Sequence, residues 1–162
     1  MEQKPSFKTL FFFSILTWGC ACSNFLPAAV VQLLPQVVTK FQHELPAFTQ
    51  GLAIEDDQLY ESTGLYGQSS LRFLDLSNGH VKHKKELPTP LFAEGLAVKG
   101  NRIYQLTWKE HKAFVYDRQT FEVLKTFSYP GEGWGLCSDA DTLWMSDGSA
   151  RLVQRDIDRK SV

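Results

Sequence analysis

The chain has 162 residues and a formal net charge of −1, with 43% hydrophobic and 22% charged residues. That balance is ordinary for a globular domain, and the net charge gives no support for a nucleic-acid partner, which would require a basic patch. The densest basic cluster, Lys82, Lys84 and Lys85, reads as a solvated strand or turn.

At the N-terminus Lys4 and Lys8 precede the apolar run Leu10 to Trp18, and Gly19-Cys20-Ala21-Cys22 follow. A basic flank, a short apolar run and small residues form the pattern of a secretory signal. The run is too short to cross a bilayer, which takes ~20 residues, so no stable membrane span is expected. We assign residues 1–22 to a signal segment, with cleavage after Ala21 fitting a small-x-small rule. The expected location is periplasmic or extracellular. A lipid-modified Cys20 or Cys22 is the alternative, which Thr17 and Trp18 fit poorly. With the signal removed, Cys137 is the cysteine left in the folded body, and one cysteine makes no intrachain disulfide framework. Residues 23–40 form an apolar lead-in, either helical or a strand.

Three segments after residue 40 align without gaps. Gln50-Gly51-Leu52-Ala53-Ile54 precedes Leu59-Tyr60, Glu94-Gly95-Leu96-Ala97-Val98 precedes Ile103-Tyr104, and Trp134-Gly135-Leu136-Cys137-Ser138 precedes Leu143-Trp144. The glycines are 44 and 40 residues apart, and an aromatic follows each by nine positions. A second marker recurs at Leu74-Asp75, Tyr116-Asp117 and Arg155-Asp156. Cys137 takes the place of Ala53 and Ala97, which predicts a small side chain packed between repeats, with no reactivity.

Each unit divides into short β-like runs. The first contains Leu52-Ala53-Ile54, a turn at Asp56-Asp57, a run through Tyr60, and a run over Ser70 to Leu76. Asn78-Gly79 predicts a tight hairpin turn, because both residues tolerate positive φ, and His80 to Leu87 makes the fourth run. Four strands per ~40-residue repeat indicate propeller blades. The predicted fold is therefore all-β: a partial β-propeller of about three blades over residues 41–162. Closed propellers typically have four to eight blades. The chain is thus expected to be part of a larger propeller or one member of a ring of chains.

In a propeller the first strand of each blade lines the central channel. The residues just before each repeated glycine, Gln50, Glu94 and Trp134, are expected at the channel mouth. Phe48, Phe92 and Glu132 lie two positions earlier, and the hairpin returns Gly64, Trp108 and Gly148 to the same rim. Repeated scaffold positions keep one chemistry, whereas these rim positions change it from blade to blade, as a ligand site requires. The aromatics alone would serve equally as blade caps. Glu94 among Phe92, Trp108 and Trp134 would be partly desolvated, which raises a carboxyl pKa and suits it to proton transfer near neutrality. No His/Cys spacing suggests a metal, and neither a metal nor a cofactor is expected.

Phe48-Thr49-Gln50-Gly51-Leu52, Leu59 to Arg72, Phe92-Ala93-Glu94-Gly95-Leu96, Arg102 to Glu110, Tyr129 to Leu136 and Met145 to Ser149 together resemble the plant- and bacterial-type glutaminyl-peptide cyclotransferases over about residues 44–156. The resemblance implies a five-bladed propeller that turns the N-terminal glutamine of peptide or protein substrates into pyroglutamate and releases ammonia. It implies Glu94 as catalytic acid/base, with Phe48, Gln50, Phe92, Trp108 and Trp134 lining the substrate pocket. The family's later blades, with a further Asn, Trp and Lys, have no counterpart within these 162 residues. A non-catalytic binding module and a decayed gene fragment are the alternative readings.

Overall fold

The structure is a computed structural model that describes residues 31–156. The expected signal segment 1–22 and the start of the lead-in, residues 23–30, lie outside the described residues. Residues 31–37 belong to one unit, Met1–Val37, and carry neither helix nor strand. Residues from Val38 onward form a second unit, which contains every described strand.

The first sheet holds β1 (Thr49–Glu55), β2 (Gln58–Thr63), β3 (Ser70–Leu74) and β4 (Val81–Glu86). The second holds β5 (Ala93–Lys99), β6 (Arg102–Thr107), β7 (Lys112–Asp117) and β8 (Val123–Ser128). The third holds β9 (Leu136–Asp139), β10 (Thr142–Ser146) and β11 (Leu152–Asp156). Within each sheet sequential strands pair antiparallel, so each sheet is a meander of the kind a propeller blade requires. Among the described residues there is no helix.

Strand alternation divides the side chains between the two faces of each blade. From the second sheet Leu96, Val98, Ile103 and Tyr116 pack with Tyr60 and Leu71 of the first. The intervening Ala97, Tyr104 and Val115 turn the other way and pack with Leu143 of the third. Each large side chain buried this way contributes about 1.5–3 kcal/mol. The repeated aromatics thus face the following blade: Tyr60 the second sheet and Tyr104 the third. Polar groups cross the first interface fully paired. Gln105 Nε2 donates to Ser62 Oγ at 2.8 Å while Gln105 Oε1 accepts from Tyr116 Oη at 3.0 Å. Arg118 reaches from the second sheet to Tyr60 Oη, the Glu55 carbonyl and Asp56.

The repeated glycines mark where neighbouring first strands touch. A Cβ on Gly51 would lie 2.8 Å from the Leu96 nitrogen, and one on Gly95 would lie 2.6 Å from the Leu136 nitrogen. At that point Gly95 N donates to the Trp134 carbonyl at 2.7 Å, a main-chain bond from blade to blade. Only a residue without Cβ admits this approach.

Two expectations are corrected. The Asn78-Gly79 connection is a longer loop with one left-handed residue, Gly79 at φ 76°. Asp75 organises it, accepting from Ser77 N at 2.8 Å and Ser77 Oγ at 2.6 Å, while Gly79 N donates to the Asp75 carbonyl. Asp117 repeats the arrangement with the amides of Gln119 and Thr120, which explains the second sequence marker. Cys137 is not packed between blades but exposed. Its side of β9 is opposite the Leu136 side, and among the described residues no sheet covers it. His43 lies 2.8 Å from the buried Glu61 carboxylate, beside an ion pair of Glu44 with Arg72 at 3.0 Å.

Gly95→Ala is expected to destabilise the protein by about 1–3 kcal/mol through overpacking against main chain that cannot swing aside. Gly100→Ala, at φ 56° with nothing within 4 Å of an added Cβ, is expected to cost only the left-handed penalty of about 1 kcal/mol. Urea denaturation followed by circular dichroism measures both, and equal losses would contradict the close-approach account.

Candidate functional site

The first strands of the first two blades are irregular where they carry their polar residues. In β1 the register slips between Thr49 and Gly51, and in β5 between Ala93 and Leu96. Gln50 and Glu94 sit in these two bulges. A bulge leaves a residue unpaired and re-aims its side chain, and here it turns both side chains to the same place. Gln50 Nε2 donates to Glu94 Oε1 at 2.9 Å across 44 residues of sequence.

Aromatic rings wall this pair. Gln50, Phe92, Glu94, Trp108, Trp134 and Gly135 line one open cavity of about 410 Å³. Trp108 N donates to the Phe92 carbonyl at 2.8 Å, and Gly64 N to the Phe48 carbonyl at 2.8 Å, so the hairpin returns both residues to the rim. Phe92 packs edge-on against Trp108 at 5.6 Å between centroids and against Phe48 at 6.4 Å. Its ring lies where any side chain on Gly64 would stand, so Gly64 is a steric requirement of the Phe92 position. Phe48 is half exposed and touches the site through Phe92. All six residues expected at the site therefore meet at one end of the blades, with Phe48 on its outer margin.

Burial pushes the Glu94 carboxyl up to about 7, against the Gln50 hydrogen bond, which favours the ionised form. The charge of Glu132 adds to the upward shift. Glu132 itself was expected on this rim without a role. Its Oε2 accepts from Trp108 Nε1 at 2.7 Å and from Trp134 Nε1 at 3.0 Å. These two donors hold its carboxyl below the usual range. The site also contains residues that sequence reasoning did not single out. Tyr66 packs on Phe92 at 5.4 Å and donates to Glu110 Oε1 at 3.0 Å, and Lys109 Nζ lies 3.8 Å over the Trp108 ring. They lie inside the motifs that carry the family resemblance, and Tyr66 and Glu110 share one repeat position 44 residues apart, but spacing alone did not bring them to the rim.

The arrangement is an apolar, aromatic-walled recess with one carboxyl that titrates near neutrality and one amide donor beside it. It suits the binding of a small polar group and the transfer of a proton to or from it. Among the described residues no three His, Cys, Asp or Glu side chains gather as a metal-binding set.

The model of the glutamine cyclotransferase family matches residues 12–161. Glutaminyl-peptide cyclotransferase of Arabidopsis thaliana is 38% identical over 149 residues, covering 91% of this chain and 47% of that protein. The crystal structure of Myxococcus xanthus glutaminyl cyclase superposes with a TM-score of 0.69 at 37% identity, over 76% of this chain and 52% of that one. The Cps50 β-propeller domain of Myceliophteria thermophila matches at a TM-score of 0.56 and 12% identity, over 77% of this chain and 40% of that one, a likeness of fold alone. The chain spans about half the length of the glutaminyl cyclases it matches.

Because its carboxyl is raised on folding, Glu94 links stability to pH. Folding favours the protonated form, so its contribution is fully present below the unfolded carboxyl value of 4.5 and is lost as pH rises through about 7. The thermal midpoint is expected to fall across that interval, and Glu94→Gln is expected to flatten this part of the curve. Calorimetry between pH 4 and 8 reads the slope, and an unchanged slope in the variant would remove Glu94 as its source.

Proposed function

The chain belongs to the glutamine cyclotransferase family, and on that premise we propose that it is a glutaminyl-peptide cyclotransferase acting on peptides or proteins with an N-terminal glutamine. The observation that carries the reading is Glu94, raised to about 7 by burial and bonded to Gln50 at 2.9 Å, within the Phe92, Trp108 and Trp134 recess.

The reaction is intramolecular. The substrate's neutral α-amine attacks its own side-chain amide carbon, and a C–N bond closes the five-membered lactam. The bond to the side-chain nitrogen breaks and ammonia leaves. Holding the side chain folded back on the amine supplies much of the acceleration, and flat rings lining a small recess serve that purpose. The α-amine, with a reference pKa of about 7.7–8.0, must lose a proton as it attacks, and the leaving nitrogen must gain one. The ionised Glu94 accepts the first proton and returns it to the departing nitrogen, so the carboxylate is regenerated. A carboxyl near 7 is a stronger base than one near 4 and is still substantially ionised at neutral pH. Gln50 keeps the Glu94 carboxylate oriented and accounts for one of its acceptor positions.

Ammonia release from a Gln-initiated peptide tests the proposal. Glu94→Gln is expected to lower the rate by about 10²–10⁴-fold, the range typical of general acid–base catalysis, while the circular dichroism spectrum stays the same. Equal rates for the two proteins would remove Glu94 from the mechanism. Saturable peptide binding with no ammonia released would instead support a non-catalytic binding module.

We also infer export, from Lys4 and Lys8 ahead of the apolar run Leu10 to Trp18. N-terminal sequencing of the protein from its native source is expected to begin near residue 22. Recovery of intact Met1 from the cytoplasm would contradict export.

A further inference from the structure

Glu132 lies on the segment between β8 and β9, and that segment is laced to the loop after β6. Gly133 N donates to the Trp108 carbonyl at 2.9 Å, Tyr129 N to the His111 carbonyl at 3.1 Å, and His111 Nδ1 lies 2.6 Å from the Gly131 carbonyl. The Glu132 backbone is thereby fixed beside Trp108. A single carboxylate oxygen accepts from both indoles, at 2.7 and 3.0 Å. Trp134 is 47% exposed and its ring rests over Gly148, a contact that does not by itself fix the ring's rotation. An indole has one polar group, its N–H, and here the N–H groups of both indoles end on the same oxygen.

We propose that Glu132 is a positioning residue that locks the Trp108 and Trp134 indoles in place as walls of the recess and holds a fixed negative charge beside Glu94. The inference deepens the cyclotransferase reading and rests on it for its kinetic consequence only. Charge-assisted bonds from two donors are stronger than neutral ones, and walls set in place before binding remove an ordering cost from substrate association. The charged groups that face Glu132 are Glu94 from β5, Trp108's neighbour Lys109, and His111. Lys109 and His111 support its ionised form, whereas its charge opposes ionisation of Glu94. Loss of that charge therefore lets Glu94 ionise at lower pH.

The full 162-residue chain, labelled with ¹⁵N-tryptophan and ¹³C-glutamate, provides the test, with Glu132→Gln and Glu132→Ala as variants. In the unaltered protein the Trp108 and Trp134 indole N–H signals are expected to shift together as one carboxyl titrates below the ordinary range. Glu132→Gln keeps an acceptor, so the signals should stay near their positions but lose the pH response. Glu132→Ala should move both signals, with Trp134 going to a solvent-exposed position. In both variants the Glu94 carboxyl should titrate at lower pH. In ammonia-release assays Glu132→Ala should raise KM about 10-fold, the scale of a lost hydrogen bond to a charged group, with a smaller change in kcat and partial recovery in Glu132→Gln. Indole signals that ignore both pH and Glu132→Ala, in a variant with an intact backbone spectrum, would overturn the positioning role. If the indole signals behave as expected but no form of the protein releases ammonia, the cyclotransferase reading fails and the positioning role stands.

Discussion

The contact between neighbouring first strands sets the rest of the structure. Gly51 against Leu96, and Gly95 against the Trp134–Leu136 main chain, bring backbones closer than any side chain permits. The bond from Gly95 N to the Trp134 carbonyl fixes that approach at 2.7 Å. Because blades touch there, the residues immediately before the glycines are brought together as well. Gln50 and Glu94 are 44 residues apart in sequence yet within one hydrogen bond of each other. The bulges at the same positions complete the arrangement, because a regular ladder would leave each side chain in the alternation of its own strand. Steric closeness and local irregularity therefore have one result, a polar pair delivered to the end of an otherwise apolar stack.

Two carboxyls share that end and are driven in opposite directions. Glu94 is desolvated, has one amide donor and faces another negative charge, so it rises to about 7. Glu132 accepts two indole N–H groups near Lys109 and His111, so it falls. Pairs of acidic groups whose surroundings separate their pKa values divide acid–base work from fixed-charge work. The division here follows from burial at Glu94 and from the two indole donors at Glu132. A carboxylate that accepts charge-assisted bonds is stabilised as an anion, while one pressed between rings is not.

The sequence revealed the blades because their signal is periodic and steric. Glycine recurs where main chains touch, aromatics recur where the next sheet packs, and aspartate recurs where a loop needs its amides capped. The failures occurred where one residue type can meet two demands. Asn78-Gly79 fits a two-residue turn, but Asp75 offers its loop a better set of acceptors, so only Gly79 enters the left-handed region. In the second blade the matching position is Phe121, at φ 57° although it is not glycine. Its ring is 1% exposed and stacks on His83 at 4.3 Å, and that burial offsets a backbone cost of about 1–3 kcal/mol. No local rule would have put a phenylalanine there. Cys137 failed for another reason, since the alignment gave its strand position correctly while its exposure depends on whether a sheet lies over that face.

The rim could be read because it breaks the repeat, but only residue by residue. Gln50, Glu94 and Trp134 occupy one repeat position with three chemistries, and that contrast marked them. Tyr66, Lys109 and Glu110 lie beyond the positions so compared, and they enter through contacts that only the folded chain creates. Glu132 is intermediate: its position was foreseen and its bonds were not. Spacing can say which residues share a rim, whereas the direction of a carboxylate depends on which donors reach it. Trp108 and Trp134 reach it from different blades, and each has only the indole N–H to satisfy. The recess is therefore shaped less by any single motif than by a shared acceptor between two walls, which couples the geometry of the rings to the charge that faces Glu94.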